Sequence, residues 1–234
     1  MNTPPTGNSL PAPATLSSVM NAATDTSLSL QSQEFLWANP AATPAHDYLF
    51  PTIRDWLKQA GAQEVLDLGC GNGALTAAFE REGFSMTGMD VSESGIAIAA
   101  RISPTISFLH SDMAAPMPEE LQHRYDAVIA VEVIEHLLLP RLLFERAREA
   151  LRPGGIIIIT TPYHGFLKNL ALALTNKFDN HWHPLRDFGH VKFFSQQTLS
   201  QLFGEQGLQV QRFSRVGRVP ALAKSMIMQG SIKR

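Results

Sequence analysis

The chain has 234 residues, enough to bury a full core as one domain of ordinary size. Its 44% hydrophobic and 17% charged residues fit a water-soluble globular protein, and a formal charge of -2 gives no general reason to bind nucleic acid. A lone cysteine, Cys70, excludes an internal disulfide framework and fits a reducing cytosol, and neither a membrane-length apolar run nor a secretory signal is present.

Residues 1–30 are rich in Pro, Thr, Ser, Asn and Ala and nearly devoid of charge. They bury too little to order themselves, so a disordered segment is expected, with a flap over the active site as the other reading. The folded domain then spans 31–234. Phe35, Leu36 and Trp37 begin the first stretch able to pack. Residues 46–60 read as a helix with Tyr48, Leu49, Ile53, Trp56 and Leu57 near one face, and Gly61 is a natural stop.

Strands and helices then alternate. Strands are expected at 64–68, 85–89, 106–109, 125–130 and 155–160, and helices at 74–81, 94–100 and 139–151. The isoleucine run in the fifth strand suits burial on both faces. This alternation predicts an α/β, Rossmann-like, mostly parallel sheet with helices on both faces. After Thr161 the pattern breaks into an insertion at 163–190, a helix at 195–206 and candidate late strands at 208–213 and 222–228.

The run Val65-Leu66-Asp67-Leu68-Gly69-Cys70-Gly71-Asn72-Gly73 carries an apolar strand through an acid into three glycines. Asp90 closes the next strand. Ligands of open parallel sheets sit at strand carboxyl ends, where glycines permit close backbone approach and a carboxylate can accept from ribose hydroxyls. Gly69-x-Gly71-x-x-Ala74 also fits the loose dinucleotide pattern, but no second mononucleotide half follows. Asp67 and Gly73 favour a charged, sulfonium-bearing adenosyl ligand.

With Ser111-Asp112-Met113, Tyr125-Asp126-Ala127-Val128 and Leu151-Arg152-Pro153-Gly154-Gly155, these motifs resemble the class I S-adenosylmethionine-dependent methyltransferases from about Glu64 to Gly207. The resemblance implies a seven-stranded sheet ending in an antiparallel hairpin, with S-adenosylmethionine as cofactor. Asp67 and the loop Gly69, Cys70 and Gly71 would hold its methionyl part, and Asp90 its ribose hydroxyls. Asp112 and Met113 would flank the adenine, with Val91 and Val131 completing the set. A loop cap is the plainer reading of Asp112.

Val131-Glu132-Val133-Ile134-Glu135-His136-Leu137 follows the fourth strand. If it is helical, Glu132, Glu135 and His136 share one face. Two carboxylates and an imidazole can bind a divalent cation, Mg²⁺ or Mn²⁺ by their oxygens, with Zn²⁺ left open by the histidine; His190 would supply a fourth ligand. The segment resembles the Glu-x-x-Glu-His of the ubiquinone-biosynthesis O-methyltransferases, some of them metal-dependent. It is also similar to the small-RNA 2′-O-methyltransferases, in which Glu and His residues hold Mg²⁺. The stretch from His190 to Phe194 aligns with both. Such a metal would acidify the acceptor hydroxyl. Without metal, His136 or His190, assisted by Glu135, is the candidate general base. His181-x-His183 has metal-ligand spacing, with a solvated loop as its plainer reading.

In the insertion, Phe166 to Leu174 is apolar around most of a short helix and is followed by Phe178 and Trp182. It could lie on a membrane surface, roof an apolar substrate pocket, or pack on the core. The quinone-pathway enzymes carry a comparable insertion linked to lipid contact, and their substrates are polyprenylated. Arg212, Arg215, Arg218, Lys224, Lys233 and Arg234 make the C-terminal part basic, either a solvated face or a surface for anionic lipid or RNA. The combined expectation is a cytoplasmic O-methyltransferase acting on a phenolic or catechol hydroxyl of an apolar small molecule, with peripheral membrane contact. Its alternatives are a 2′-O-methyltransferase at an RNA end, disfavoured by the near-neutral charge, and a non-catalytic adenosyl-binding partner protein.

Overall fold

A seven-stranded sheet in the order β3-β2-β1-β4-β5-β7-β6 organises the chain. The structure, a computed structural model, describes residues 36–182, 185 and 189–232. The segment expected to be disordered (1–30), His183, Lys233 and Arg234 lie outside the described residues. Strands β1 (Glu64–Leu68), β2 (Ser85–Asp90), β3 (Ser107–His110), β4 (Tyr125–Val131) and β5 (Leu151–Pro162) are parallel. β6 (Leu208–Val216) and β7 (Ser225–Ile232) close the sheet as an antiparallel hairpin, β7 lying against β5. The strand order reverses between β1 and β4, which opens a crevice at their carboxyl ends.

Helices cover both faces because side chains alternate across each strand. On one face Leu66, Leu68, Val128, Ile157 and Ile159 pack with helices α4 (Arg141–Ala150) and α7 (Gln196–Glu205). On the other, Val65, Ile129, Ile156 and Ile158 meet α1 (His46–Gln59) and α2 (Ala74–Arg81). The isoleucine run thus feeds both cores, as its composition required. Helix α1 buries Leu49, Ile53 and Leu57, spaced at one helical face. Helix α3 (Glu93–Ile102) is capped by Ser92, whose hydroxyl accepts from the Gly95 amide at 3.1 Å. Ser195 and Thr198 form a capping box at the start of α7.

Three elements differ from the sequence reading. β5 starts at Leu151, because the Leu-Arg-Pro-Gly-Gly motif already pairs beside Tyr125, with a bulge, before the isoleucine run. β7 starts at Ser225 and not at 222, since Pro220–Leu222 forms a 3-10 turn led by a residue with no amide hydrogen to give a ladder. The segment after β4 is not α-helical: Glu132 is left-handed (φ 56°) and only Ile134–His136 makes a 3-10 turn. The Glu132 amide donates to Thr160 Oγ1 at 2.9 Å, which ties it to β5 and forces the chain to turn there.

The insertion contains α5 (Phe166–Leu174) and α6 (Phe178–Trp182). Helix α5 does not pack on the core through its apolar residues. Phe166 and Leu174 are 79% and 78% exposed, Leu167 and Leu170 are exposed as well, and the side chain that turns inward is Lys168, at 9%. No helix among the described residues is long and apolar enough to cross a membrane.

Candidate functional site

The glycine loop is a backbone device. The amides of Gly69 and Cys70 both donate to the Met89 carbonyl, at 2.7 and 3.1 Å, so β1 and β2 are clamped where they end. Gly71 (φ 54°) donates its amide to Asp90 Oδ2 at 2.7 Å, and Ser92 donates to Asp90 Oδ1 at 2.8 Å. A Cβ on Gly71 would sit 2.4 Å from the Trp37 ring, which lies across the loop with its amide on Ser94 Oγ (3.1 Å). Asn72 holds the same strap, donating to the carbonyls of Asn39 and Ala41, both at 3.0 Å. Trp37 was noticed in the sequence as the start of packing; nothing there located it on the loop.

Two acids, Asp67 buried and Asp90 half-buried, sit at this end of the sheet. Asp67 accepts from Thr76 Oγ1 at 2.7 Å. Burial pushes its carboxyl up to about 7 against that hydrogen bond, and the Asp90 charge adds to the rise. Burial also raises Asp90, with the Ser92 and Gly71 amides and His110 pulling the other way. Neither acid has an ion-pair partner among the described residues. Burial raises the Cys70 thiol well above its ordinary range, so it is inert as a nucleophile. His110 donates its Nε2 hydrogen to the Val91 carbonyl at 2.9 Å, and Asp112 Oδ1 caps its loop by accepting from the Ala114 amide at 2.8 Å. Met113 and Val131 pack half-buried at the edges of the two cores.

Past the end of β4 the acidic and imidazole groups divide. Glu135, His136 and His190 present ligand atoms within 4.8 Å of one another, the acid buried, His190 half-buried and His136 exposed. The histidine rings meet edge to face at 4.9 Å, and the Val191 and Lys192 amides both donate to the Glu135 carbonyl at 2.9 Å. These contacts bring the segment around His190 back onto the 3-10 turn. Neither carboxylate oxygen of Glu135 has a hydrogen-bond partner among the described residues. Burial, and next the Glu132 charge, raise its carboxyl well above the usual range; its own backbone and the nearby Thr161 offset only part of this.

Glu132 stands outside that cluster. Thr160 Oγ1 donates to its Oε1 at 2.9 Å and Ser225 Oγ to its Oε2 at 3.2 Å, with the Tyr48 hydroxyl 3.3 Å from Ser225. Burial pushes Glu132 up to about 7, while the two hydroxyls and the Lys168 charge hold it down. Glu132 and His190 share a cavity of about 670 Å³ with Tyr48, Lys168, Arg218 and Lys224. Sequence reasoning did not foresee Tyr48, Thr160 or Ser225 here, since Thr160 and Ser225 are brought together by β5–β7 pairing and Tyr48 reaches Ser225 from α1. Lys168 had a signal, as the one charge in an apolar helix.

Comparison with known proteins agrees with this geometry. The family described as a methyltransferase domain matches residues 41–212. A ubiquinone biosynthesis O-methyltransferase of Pseudomonas aeruginosa is 33% identical over 174 residues, 71% of this chain and 74% of that protein. One of Bradyrhizobium diazoefficiens is 32% identical over 144 residues, 60% of this chain, and the match spans only 56% of that relative's length. The fold is shared with the magnesium protoporphyrin IX methyltransferase of Synechocystis, solved with bound SAH, at a TM-score of 0.59 and 19% identity over 78% of this chain and 81% of that one. Matched across most of its sheet and over both its glycine loop and its acidic strand ends, the chain belongs to the S-adenosylmethionine-dependent methyltransferases.

Proposed function

We propose that the protein methylates a phenolic or catechol oxygen of a small aromatic acceptor. The observation that carries this is the convergence of Glu135, His136 and His190 beside the cavity that Glu132 lines. The names of the relatives, ubiquinone biosynthesis O-methyltransferases, support the same acceptor chemistry.

The cofactor fits the residues present. Asp67 is buried and Asp90 half-buried, both acids are raised above their ordinary range chiefly by burial, and a ligand bearing an ammonium, a sulfonium and ribose hydroxyls would give them partners. Asp67, Gly69, Gly71 and Asp90 would hold it, with Val91, Asp112, Met113 and Val131 around the adenosyl group and the Cys70 backbone in the loop. When bound, S-adenosylmethionine supplies a methyl group on an electrophilic sulfonium. The chain's own task is then to orient the acceptor oxygen and take its proton. In the absence of a cation, His190, which lines the cavity with His136 packed against it, would serve as the base. Glu132, poised at about 7, provides a second proton acceptor.

A divalent cation fits the same three side chains. The orphaned buried oxygens of Glu135 are what a bound cation would satisfy. One carboxylate with two imidazoles is a donor set suited to Mn²⁺ or Zn²⁺ more than to Mg²⁺. The cation would acidify the acceptor hydroxyl. The exposed apolar residues of α5 support, in addition, a peripheral lipid contact for an apolar acceptor.

The test is transfer of labelled methyl from S-adenosylmethionine to catechol compounds, with and without a chelator. Transfer that is lost on chelation and restored by Mn²⁺, and lost in Glu135→Ala with cofactor binding retained, supports the metal reading. Transfer unaffected by both removes the metal and leaves His190. Label entering RNA alone overturns the small-molecule acceptor.

A further inference from the structure

We propose that the acceptor carries a carboxylate, seated between Lys168 and Arg218 in the cavity beside Glu132. This rests on the methyl-transfer reading above and names its substrate class more closely.

The argument begins with the orientation of α5. Seven of its nine residues are apolar and could be buried at little cost, yet Lys168 is the one that is buried, beside Ala171 and Leu172 in the cavity wall. Burying an ammonium is unfavourable unless something compensates it. Among the described residues its ammonium makes a single hydrogen bond, donating to the Lys224 carbonyl at 3.3 Å, which uses one of three donors and fixes the head in the cavity wall.

The second element is the β6–β7 turn. Gly217 is left-handed (φ 88°), the Lys224 amide donates to the Val216 carbonyl at 2.9 Å, and the turn brings Arg218 and Lys224 to the cavity rim beside α5. The Lys224 ammonium lies 5.1 Å from the centre of the Tyr48 ring, which also lines the cavity. Lys168, Arg218 and Lys224 form no ion pair among the described residues, and Lys168 and Arg218 are close enough to repel. Burial, then Arg218, lower the Lys168 ammonium to about 8, with Glu132 acting in the opposite sense.

Charge balance decides the ligand. Glu132 can offset one cation at most, and Glu135 does not line the cavity. Among the described residues that line the cavity, the buried Lys168 and the exposed Arg218 and Lys224 thus face one acid, in a space large enough for a substituted aromatic ring. The cofactor does not relieve this, because its carboxylate is balanced by its own ammonium and its sulfonium is positive. An anionic substituent on the acceptor can, and a planar carboxylate matches a guanidinium fork beside an ammonium.

The experiment measures binding of protocatechuate and of its uncharged primary amide to the full chain saturated with S-adenosylhomocysteine, by calorimetry. Methyl transfer to each is followed separately. We expect the carboxylate to bind at least about tenfold tighter than the amide. Lys168→Met and Arg218→Gln should each collapse that ratio to within about twofold; Arg218 is exposed, so its variant retains the fold. Equal affinities in the unaltered protein, a ratio surviving in both variants, or no binding of either compound overturns the proposal. Carboxylate-dependent binding without transfer to either compound sinks the O-methylation reading and leaves the subsite standing. Transfer to both at equal affinity does the reverse.

Discussion

Replacing Asp67 with asparagine should stabilise the folded chain at alkaline pH while impairing the cofactor site. Asp67 is 1% exposed, and its carboxyl rises from 3.8 to about 7 on folding, chiefly through burial. An acid whose folded value exceeds its unfolded one binds more protons folded than unfolded, so stability falls as pH climbs through that window. The penalty is absent below the unfolded value, grows by about 1.4 kcal/mol for each pH unit, and levels off above the folded value at about 4 kcal/mol. Asparagine keeps an acceptor for Thr76 Oγ1 and cannot ionise. Urea denaturation of both proteins at pH 4 and pH 8 gives the readout as a difference, in which the other titrating acids largely cancel. The variant should be more stable by up to about 4 kcal/mol at pH 8 and nearly equal at pH 4. Cofactor affinity should rise with pH through neutrality in the unaltered protein and be weak and flat in the variant. A variant that is destabilised at pH 8, or whose advantage is the same at both values, refutes the claim that Asp67 is held in an unfavourable ionisation state for a ligand.

Gly73→Ala places a Cβ 2.6 Å from that of Ala99 at φ 74°, and should cost at least about 2 kcal/mol of stability in a denaturant titration. Ser225→Ala removes a donor that holds Glu132 down, so the acid limb of kcat/KM for methyl transfer should move to higher pH; an unmoved limb means that Glu132 need not ionise for turnover. Phe144 and Phe203 meet edge to face at 5.1 Å in the core between α4 and α7, and Phe144→Ala should cost about 3–5 kcal/mol by urea denaturation without altering the cofactor pKa linkage.

Much of the sheet was legible because its cause is local. Five parallel strands announce themselves by apolar runs that end in turn residues, and the acids at positions 67 and 90 mark the carboxyl ends where a ligand must lie. What stayed hidden depends on distant pairing. Nothing in the spacing of Glu132, Glu135 and His136 reveals that the Glu132 amide is captured by Thr160 on β5. Helical spacing was a fair reading of the sequence, and a single backbone hydrogen bond to a neighbouring strand overrode it, separating Glu132 from the other two. The start of β7 was misplaced for a related reason, since register is set by the hairpin with β6 and by Pro220, not by the apolar content of 222–228. Helix α5 is the clearest case. Its composition left a membrane surface, a pocket roof and core packing open, and its buried side chain is a lysine, because what lies beneath it is a cavity lined in part by polar groups.

These departures share one direction. Asp67, Asp90, Glu132 and Glu135 are all acids raised by burial, and Lys168 is a base lowered by it. A chain selected only for stability would replace them with apolar or neutral groups, since each charge is desolvated with incomplete compensation. They sit in two groups of opposite need. On the proposed reading, Asp67 and Asp90 would take positive charge and hydroxyls, while Lys168, with Arg218 and Lys224, would take negative charge. A cofactor that brings a sulfonium to the first and an acceptor that brings an anion to the second would each relieve a penalty already present in the fold. Ligand binding should therefore stabilise the protein from both sides, and the two ligands together should raise its melting temperature by more than their separate effects, because each neutralises part of the field that the other must enter.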